Sequence, residues 1–363
     1  MPKSVYIHIP FCRQICTYCD FCKFYYNKKW IKDYLRALKK EIKENYKGEK
    51  ITTLYVGGGT PSALDEEELK ELFEVISSFN LNETFEFTFE CNSEDLTKEK
   101  LTLFKENRVN RLSIGVQTFN KNLQKKLNRK LNLNNLKNAF KFFDNINLDL
   151  MYALPEQTIN ELKSDIDLLL DLNPKHISLY SLIIEPNTML YIENTKEINE
   201  DIQREMYDYL CEALESKGYS HYEISNFCQN GYESKHNLTY WNNNEYYGFG
   251  VGASGYVDGV RYENTRSISK YIQGKFILTK EKINKQRCLE DEFMLGLRKI
   301  KGINKNKFYQ KFHKNITEIK EVQQLLEKGY LKEDSKQLFI NPDYIYVSNE
   351  IIENFINIDL LVH

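Results

Sequence analysis

The chain has 363 residues, 41% of them hydrophobic, and a formal net charge of −2, enough for one large domain and a smaller one. That balance speaks against a primary nucleic-acid binder, which needs clustered Lys and Arg; no apolar run approaches the roughly 20 residues that span a bilayer, and the N-terminus lacks a secretory pattern. Four of the eight cysteines crowd into positions 12 to 22, which argues against a disulfide scaffold and for a reducing cytoplasm.

In chain order, short β-like runs alternate with amphipathic helical stretches up to about residue 216. The strands expected are Val5–Ile9, Thr53–Val56, Phe85–Glu90, Leu112–Val116, Asn147–Tyr152 and Ile177–Leu182. Between them, Ile31, Tyr34, Leu35, Leu38 and Ile42 share one helical face. Asp65 with Glu68 three residues on reads as an acidic capping box. Ile159–Leu172 and Ile202–Ser216 read as helices, the second stopping before Gly218. Six such β–α repeats predict a parallel sheet with helices outside. They are too few for a closed eightfold barrel, so a partial, open (β/α)6 barrel is expected, with a doubly wound sheet as the alternative. Further on, Gly248–Gly255 reads as a close-packed loop over the barrel mouth, since it lacks the strand–helix setting of a nucleotide fingerprint. From about Gln286, helices over Glu290–Leu297 and Ile316–Lys328 precede a short hairpin, Tyr330-Leu331 and Leu338–Ile340. That order suggests a winged-helix-like module, and its lysines alternate with Glu and Asp, favouring packing or partner docking over DNA. The expected organisation is therefore a barrel over residues 1–225, a connecting segment over 226–285 and a C-terminal module over 286–363.

The chemistry concentrates at strand ends. Cys12, Cys16 and Cys19 follow the first strand with C-x3-C-x2-C spacing. Three thiolates this close can hold three irons of a cubane that normally takes four, leaving one iron open to a ligand. The competing reading is a structural zinc knuckle, which usually needs a second ligand pair, and none is evident downstream. Gly57-Gly58-Gly59-Thr60-Pro61 follows the second strand; it offers bare backbone to a ligand or simply makes a tight turn. Glu90 closes the third strand and could accept from a ribose. Gln117 and Arg129 offer amide and guanidinium donors. Asp149 sits within the apolar run Ile146–Met151, where an unpaired carboxylate is costly, so it calls for a partner. Tyr6 faces either the core or an adenine. His176 begins an apolar strand and reads as a satisfied core residue. In α/β barrels the C-terminal strand ends converge on one site, so these residues should share one mouth.

The cysteine spacing is that of the radical S-adenosylmethionine superfamily, and longer stretches narrow the resemblance. Tyr6–Cys12, Gly57–Ser62, Arg111–Gln117, Asp149–Pro155, Ile177–Leu182 with Glu185-Pro186, and Tyr222–Phe227 resemble the oxygen-independent coproporphyrinogen III dehydrogenase family, over essentially the whole chain. The resemblance implies a partial (β/α)6 barrel and a 4Fe–4S cluster on Cys12, Cys16 and Cys19. It also implies S-adenosylmethionine contacted by Tyr6, Tyr18, Gly58, Gly59, Thr60, Glu90, Gln117, Arg129, Asp149 and Ser181. The chain departs from the family in the stretch between Arg129 and Asp149, which is a few residues short, and in three further places. Cys22 is an extra thiol, Ser93 stands where the family commonly has proline, and Asn128-Arg129-Lys130-Leu131 keeps the Arg but not the His of a G-R-x-H segment.

Two branches share this scaffold: the dehydrogenase, which decarboxylates two propionates of coproporphyrinogen III, and a haem-chaperone branch. Three features resemble the chaperones. Phe21 stands where the dehydrogenases carry a fourth cysteine, Cys12 lies almost at the start of the chain, and His236-Asn237-Leu238-Thr239-Tyr240-Trp241 matches an H-N-x-x-Y-W motif. The resemblance implies a haem-binding element at His236, Asn237, Tyr240 and Trp241, with imidazole a candidate iron ligand and His221 and Cys228 as neighbouring alternatives. The other reading of the motif is a seat for one domain on another. The expectation is thus a cytoplasmic haem chaperone with cluster, S-adenosylmethionine and haem, partnered by a haem-accepting protein, or alternatively the dehydrogenase itself.

Overall fold

A computed structural model describes residues 1–357 of the chain. The wall of the fold is built from β1 (Ser4–Ile9), β2 (Ile51–Gly58), β3 (Leu81–Asn92), β4 (Arg111–Gln117), β5 (Ile146–Tyr152) and β6 (His176–Ser181), paired in parallel in that order. An antiparallel pair, β7 (Ser220–Glu223) and β8 (Asn226–Cys228), adds to the β6 edge. At the other edge β9 (Tyr247–Phe249) pairs in parallel with β1. The sheet order is β9-β1-β2-β3-β4-β5-β6-β8-β7. Unidirectional winding of the first six strands makes this an open barrel wall and not a doubly wound sheet, whose strand order reverses.

The expected strands are all present, and β9 corrects the reading of Gly248–Gly255 as a loop over the mouth. Part of that segment is a seventh parallel strand, held tight because its glycines admit close backbone. A Cβ on Gly248 would lie 1.8 Å from the Ser254 carbonyl oxygen. Gly250, at φ +105°, packs against the His8 carbonyl. A three-residue strand among glycines is too short for periodicity to reveal.

Helices cover the outer face. In α1 (Lys28–Asn45) the five apolar residues read from the sequence are all buried. Asp65 and Glu68 cap α2 (Glu66–Ile76) reciprocally, and Thr158 and Glu161 do the same for a later helix. The helices following β3 to β6 are α3 (Lys98–Glu106), α4 (Leu133–Phe142), α5 (Ile159–Leu172) and α6 (Glu200–Ser216). Side chains alternate along each strand. Val5, Ile7, Leu54, Val56, Phe87, Phe89, Leu112, Ile114, Leu148 and Leu150 face the helices in the main core. The residues between them are mostly polar, so the concave face is wet chemistry and not a packed barrel interior.

After β8 comes α7 (Lys235–Trp241), then β9 and a three-stranded antiparallel sheet of β10 (Ser254–Val257), β11 (Val260–Asn264) and β12 (Ile277–Lys282). Buried Glu41 on α1 ties this region down, accepting from Gly250 N at 2.9 Å, Asn264 Nδ2 and the Tyr271 hydroxyl.

A second core gathers Leu289, Phe293, Leu297, Phe308, Val322, Leu338 and Phe355. It is built from α8 (Lys285–Gly296), β13 (Ile303–Asn304), α9 (Lys305–Phe312), α10 (Lys320–Glu327), β14 (Leu331–Glu333) and β15 (Gln337–Ile340), the three strands ordered β13-β15-β14. The hairpin is where the sequence put it. The helix expected over Ile316–Lys328 is broken at Ile319, which is extended (φ −79°, ψ 127°), leaving a 3-10 turn at Ile316–Glu318 before α10. Residues 358–363, the end of the expected C-terminal module, lie outside the described residues. Among those described, no helix is long and apolar enough to cross a membrane.

Candidate functional site

One cavity of about 460 Å³ opens at the C-terminal ends of the strands and runs down the concave face. Its wall includes Cys12, Cys16 and Cys19, and also Tyr18, Gly58, Gly59, Thr60, Glu90, Gln117, Arg129, Asp149 and Ser181. Residues 169 positions apart in sequence therefore meet where the strand ends converge, as the topology requires.

The cysteine loop is braced by the end of β2. Gly59 N donates to the Ile9 carbonyl at 2.9 Å and Thr60 N to the Phe11 carbonyl at 3.0 Å. The Thr60 hydroxyl donates to Cys12 Sγ at 3.6 Å. A Cβ on Gly59 would meet the Pro10 backbone and Cys12 Sγ within 2.9 Å, so the close approach needs glycine here. From the other side Arg129 reaches the loop, with Nη1 3.5 Å from Cys16 Sγ and 3.0 Å from Asn92 Oδ1, while Nη2 donates to the Gly115 carbonyl at 2.9 Å. Burial pushes the Cys12 thiol up to about 11, with Cys19 and Cys16 adding to it. Loading with metal would draw the protons off. Among the described residues no three His, Cys, Asp or Glu side chains converge as one single-ion site needs. A cubane takes each thiolate on a different iron, and three cysteines lining one cavity suit that donor set.

Glu90 is held by the Tyr55 hydroxyl at 2.7 Å and by Gly58 N at 2.9 Å. Burial, with a contribution from Asp149, raises it to about 7. Asp149 is also raised by burial, against hydrogen bonds from Asn147 Nδ2 at 2.7 Å and from Ser178. Gln117 sits at a bulge with φ +66°, a strained backbone that turns its amide toward the cavity. Two carboxylates that accept, an amide and an arginine beside open glycine backbone form a set able to hold a polar nucleoside with an amino-acid tail.

The structure does not bring every expected residue here. Tyr6 faces the concave side but does not line the cavity: its hydroxyl shares a hydrogen bond with His8 Nδ1 at 2.9 Å, and its ring packs on Tyr55. His8 Nε2 in turn meets the Cys22 carbonyl at 2.7 Å, fixing the end of the cysteine loop. Cys22 itself turns toward the Arg266 carbonyl, 3.8 Å away. Phe21 stands 63% exposed at the mouth. His176, as its sequence setting implies, is a buried core residue bonded to Asn147 and Tyr222.

The His-Asn-Tyr-Trp motif takes the place that its second reading, a seat for one domain on another, describes. It is α7, which plugs the floor of the barrel. His236 is 1% exposed, with Nδ1 2.9 Å from Thr53 Oγ1, Nε2 2.8 Å from the Tyr240 hydroxyl, and its ring stacked on Tyr55. Burial lowers it to about 3, so it is neutral. Both ring nitrogens are thus engaged by neighbouring hydroxyls. Glu86 on β3 caps the helix, accepting from the backbone N–H groups of Lys235 and His236 at 3.0 Å each. Trp241 lies under the Arg298 guanidinium, so the helix bolts the barrel to the C-terminal module. Of the four motif residues only Asn237 reaches the cavity. His221, stacked on Phe227, and Cys228 lie outside it.

Sequence reasoning missed Tyr55, Arg111, Ser113, Asn147, Ser178 and Tyr180, all in the wall. The available signal was the period of two: on β4, Arg111, Ser113, Gly115 and Gln117 share the concave face.

The profile of the radical SAM superfamily matches residues 6–169, and that of the HemN C-terminal domain matches 283–343. A protein of Lactococcus lactis named heme chaperone HemW is 38% identical over 99% of this chain and 98% of its own. Its namesake in Bacillus subtilis is 37% identical over 98% and 99%. Among solved structures, coproporphyrinogen III oxidase (HemN) from Escherichia coli, described as a radical SAM enzyme, superposes with a TM-score of 0.86 over 98% of this chain and 90% of that one, at 21% identity. The end-to-end likeness to the two namesakes, on a barrel whose mouth carries the three cysteines, identifies the chain as a member of the HemW family within the radical SAM superfamily.

Proposed function

We propose that this protein is a cytoplasmic haem chaperone. Cys12, Cys16 and Cys19 hold a 4Fe–4S cluster with one open iron, S-adenosylmethionine occupies the cavity beneath it, and haem is bound and passed to an acceptor protein. The observation that carries the reading is the full-length likeness to relatives named heme chaperone, set against a cavity lined by all three cysteines. A cluster held there would, once reduced, supply the electron for reductive cleavage of the sulfonium of S-adenosylmethionine. The chain's own residues do the rest. Arg129 and the Gly58–Thr60 backbone fix the cluster loop. Glu90 and Asp149 accept from ribose hydroxyls, Gln117 orients the polar tail, and Tyr18 and Ser181 complete the wall.

The alternative is coproporphyrinogen III dehydrogenase activity, favoured by the likeness of fold to HemN across nearly the whole chain. One experiment separates them. The cluster is reconstituted anaerobically, and the protein is given reductant, S-adenosylmethionine and coproporphyrinogen III, then titrated separately with haem. Stoichiometric haem binding without protoporphyrinogen IX is the expected result; multiple turnovers to protoporphyrinogen IX would replace the chaperone reading with the enzyme.

A further inference from the structure

A second cavity, of about 780 Å³, lies beneath the barrel at its junction with the C-terminal module. On the barrel side it is bounded by Lys3 and Ser4 at the start of β1, by Thr52 on β2 and by the asparagines that follow α7. On the module side stand the loop 299–302 and the first turns of α9. The cysteines sit at the opposite ends of the strands. Strand β1 is six residues long, so at about 3.3 Å per residue roughly 20 Å separates the two cavities.

In a chain whose net charge is −2, five lysines line this cavity, Lys3, Lys299, Lys301, Lys307 and Lys311, against two glutamates. Both glutamates are already engaged. Glu292 pairs with Lys311 at 2.6 Å, and Glu245 accepts from Gly259 N at 2.9 Å and meets the Met1 ammonium at 3.4 Å. Among the described residues the other four lysines have no ion-pair partner. Lys299 is half-buried, and its Nζ donates to Asn242 Oδ1 at 2.7 Å. Burial pulls its ammonium down to about 8; Glu292 opposes this, and Lys307 and Lys311 add to it. Those two lysines are one turn apart on α9, a spacing at which like charges repel.

The backbone holds these cations in place. Lys299 forms an antiparallel bridge with Glu223 on β7, Ile300 N donates to the Tyr222 carbonyl at 3.1 Å, and Ile224 N donates to the Arg298 carbonyl at 3.1 Å. Gly302 closes the loop at φ +65°, where a Cβ would lie 1.9 Å from the Leu338 carbonyl oxygen. Asn304 caps α9 by accepting from Lys307 N at 3.0 Å. Fixing several unpaired ammonium groups around one space costs their mutual repulsion and the partial desolvation of Lys299, and a multivalent anion relieves both. No arginine is among the described residues of the wall. A planar guanidinium fork suits a single carboxylate, whereas separate ammonium points suit the spaced oxygens of a phosphate chain. The cavity also shares Asn243, Asn244 and Tyr256 with a cleft lined by Trp241, Tyr246 and Tyr262, rings on which a nucleobase can stack.

We propose that Lys299, Lys301 and Lys307, facing Lys3 across the junction, form a binding site for a polyphosphate group, carried by a nucleotide or present as the bare chain. The test is calorimetric titration of the full chain, without divalent metal, with tripolyphosphate, ATP and orthophosphate. Wild type should bind the first two at one site. Lys299→Gln and the double variant Lys301→Gln/Lys307→Gln should bind them at least tenfold more weakly, and Lys70→Gln, an exposed lysine on α2, should match wild type. Circular dichroism and melting temperature verify folding, and the double variant changes only exposed side chains. ATP bound more tightly than tripolyphosphate assigns the group to a nucleotide, and equal affinities assign it to the bare chain; either supports the site. Wild type that binds neither probe would overturn the proposal. So would orthophosphate bound as tightly as tripolyphosphate, unchanged affinity in the double variant, or an equal loss in Lys70→Gln. The cavity is separate from the cysteine loop, so none of these outcomes bears on the chaperone reading.

Discussion

Replacing His236 by alanine discriminates between a structural imidazole and an iron ligand. The ring makes two buried hydrogen bonds, to Thr53 and Tyr240, and stacks 5.1 Å from Tyr55. Truncating the ring leaves two buried hydroxyls unsatisfied, each at a cost of about 1–3 kcal/mol. The sum is roughly 3–5 kcal/mol after partial relaxation, a large share of the 5–15 kcal/mol that holds a typical domain together. At about 2 °C per kcal/mol this is a fall in melting temperature of about 6–10 °C, read by circular dichroism on the haem-free protein. The pH dependence carries the same signature. His236 is depressed to about 3 from an ordinary 6.5 by burial, so the unfolded chain binds the extra proton. Its contribution is complete above pH 6.5 and is lost as pH falls from 6.5 toward 3. Wild type should lose stability over that window, and His236→Ala should lose less. A variant that melts within 2 °C of wild type yet no longer binds haem would refute the structural account and restore His236 as a ligand.

Two further substitutions probe the upper cavity. Glu90 titrates at about 7 in the free protein, and a ribose hydroxyl donates best to the ionised carboxylate. S-adenosylmethionine affinity, measured by calorimetry, should therefore fall up to tenfold per unit below pH 7 and level off above it; Glu90→Gln should bind weakly with a flat profile, and an unchanged slope in that variant would remove Glu90 from the site. A Cβ on Gly57 would lie 2.7 Å from the Glu90 carboxylate, so Gly57→Ala should push Glu90 off Tyr55 and Gly58 and cost at least tenfold in the same affinity, because a hydrogen bond to a charged group is worth about 1.5–3 kcal/mol. Affinity preserved in Gly57→Ala would show that the carboxylate position is not critical.

Much of this site was legible because its residues are punctuated locally. The cysteines follow a strand at short spacing, the glycines end the next strand, Glu90 lies two residues from the end of the third and Gln117 ends the fourth, so topology alone gathers them. Residues whose role depends on partners far along the chain were not legible. His236 meets Thr53, 183 positions earlier, and no local pattern separates a histidine bonded there from one facing a ligand. Strand β9 was invisible for a similar reason: its three residues acquire strand geometry only by pairing with Val5–Ile7. Arg111 was hidden differently. Its place in the alternation of β4 puts it on the concave face, but only the lack of a hydrogen-bond partner for its Nε, a three-dimensional fact, makes it unusual.

The alternation also explains why such a face can exist. The outward residues of β1 to β6 form a continuous apolar layer under the helices, and burying that layer at about 25 cal/mol per Å² supplies the stability of the wall. The inward residues are thereby free to be costly. Glu90 and Asp149 are held above their ordinary values, Arg111 keeps an unpartnered Nε, and Gln117 is strained. Each lowers the stability of the barrel, and all four line the same cavity, where a ligand carrying hydroxyls and a carboxylate would relieve them together. Because a ligand that binds only the folded state stabilises it in proportion to the logarithm of its concentration, the barrel wall and its ligands must be treated as one folding unit.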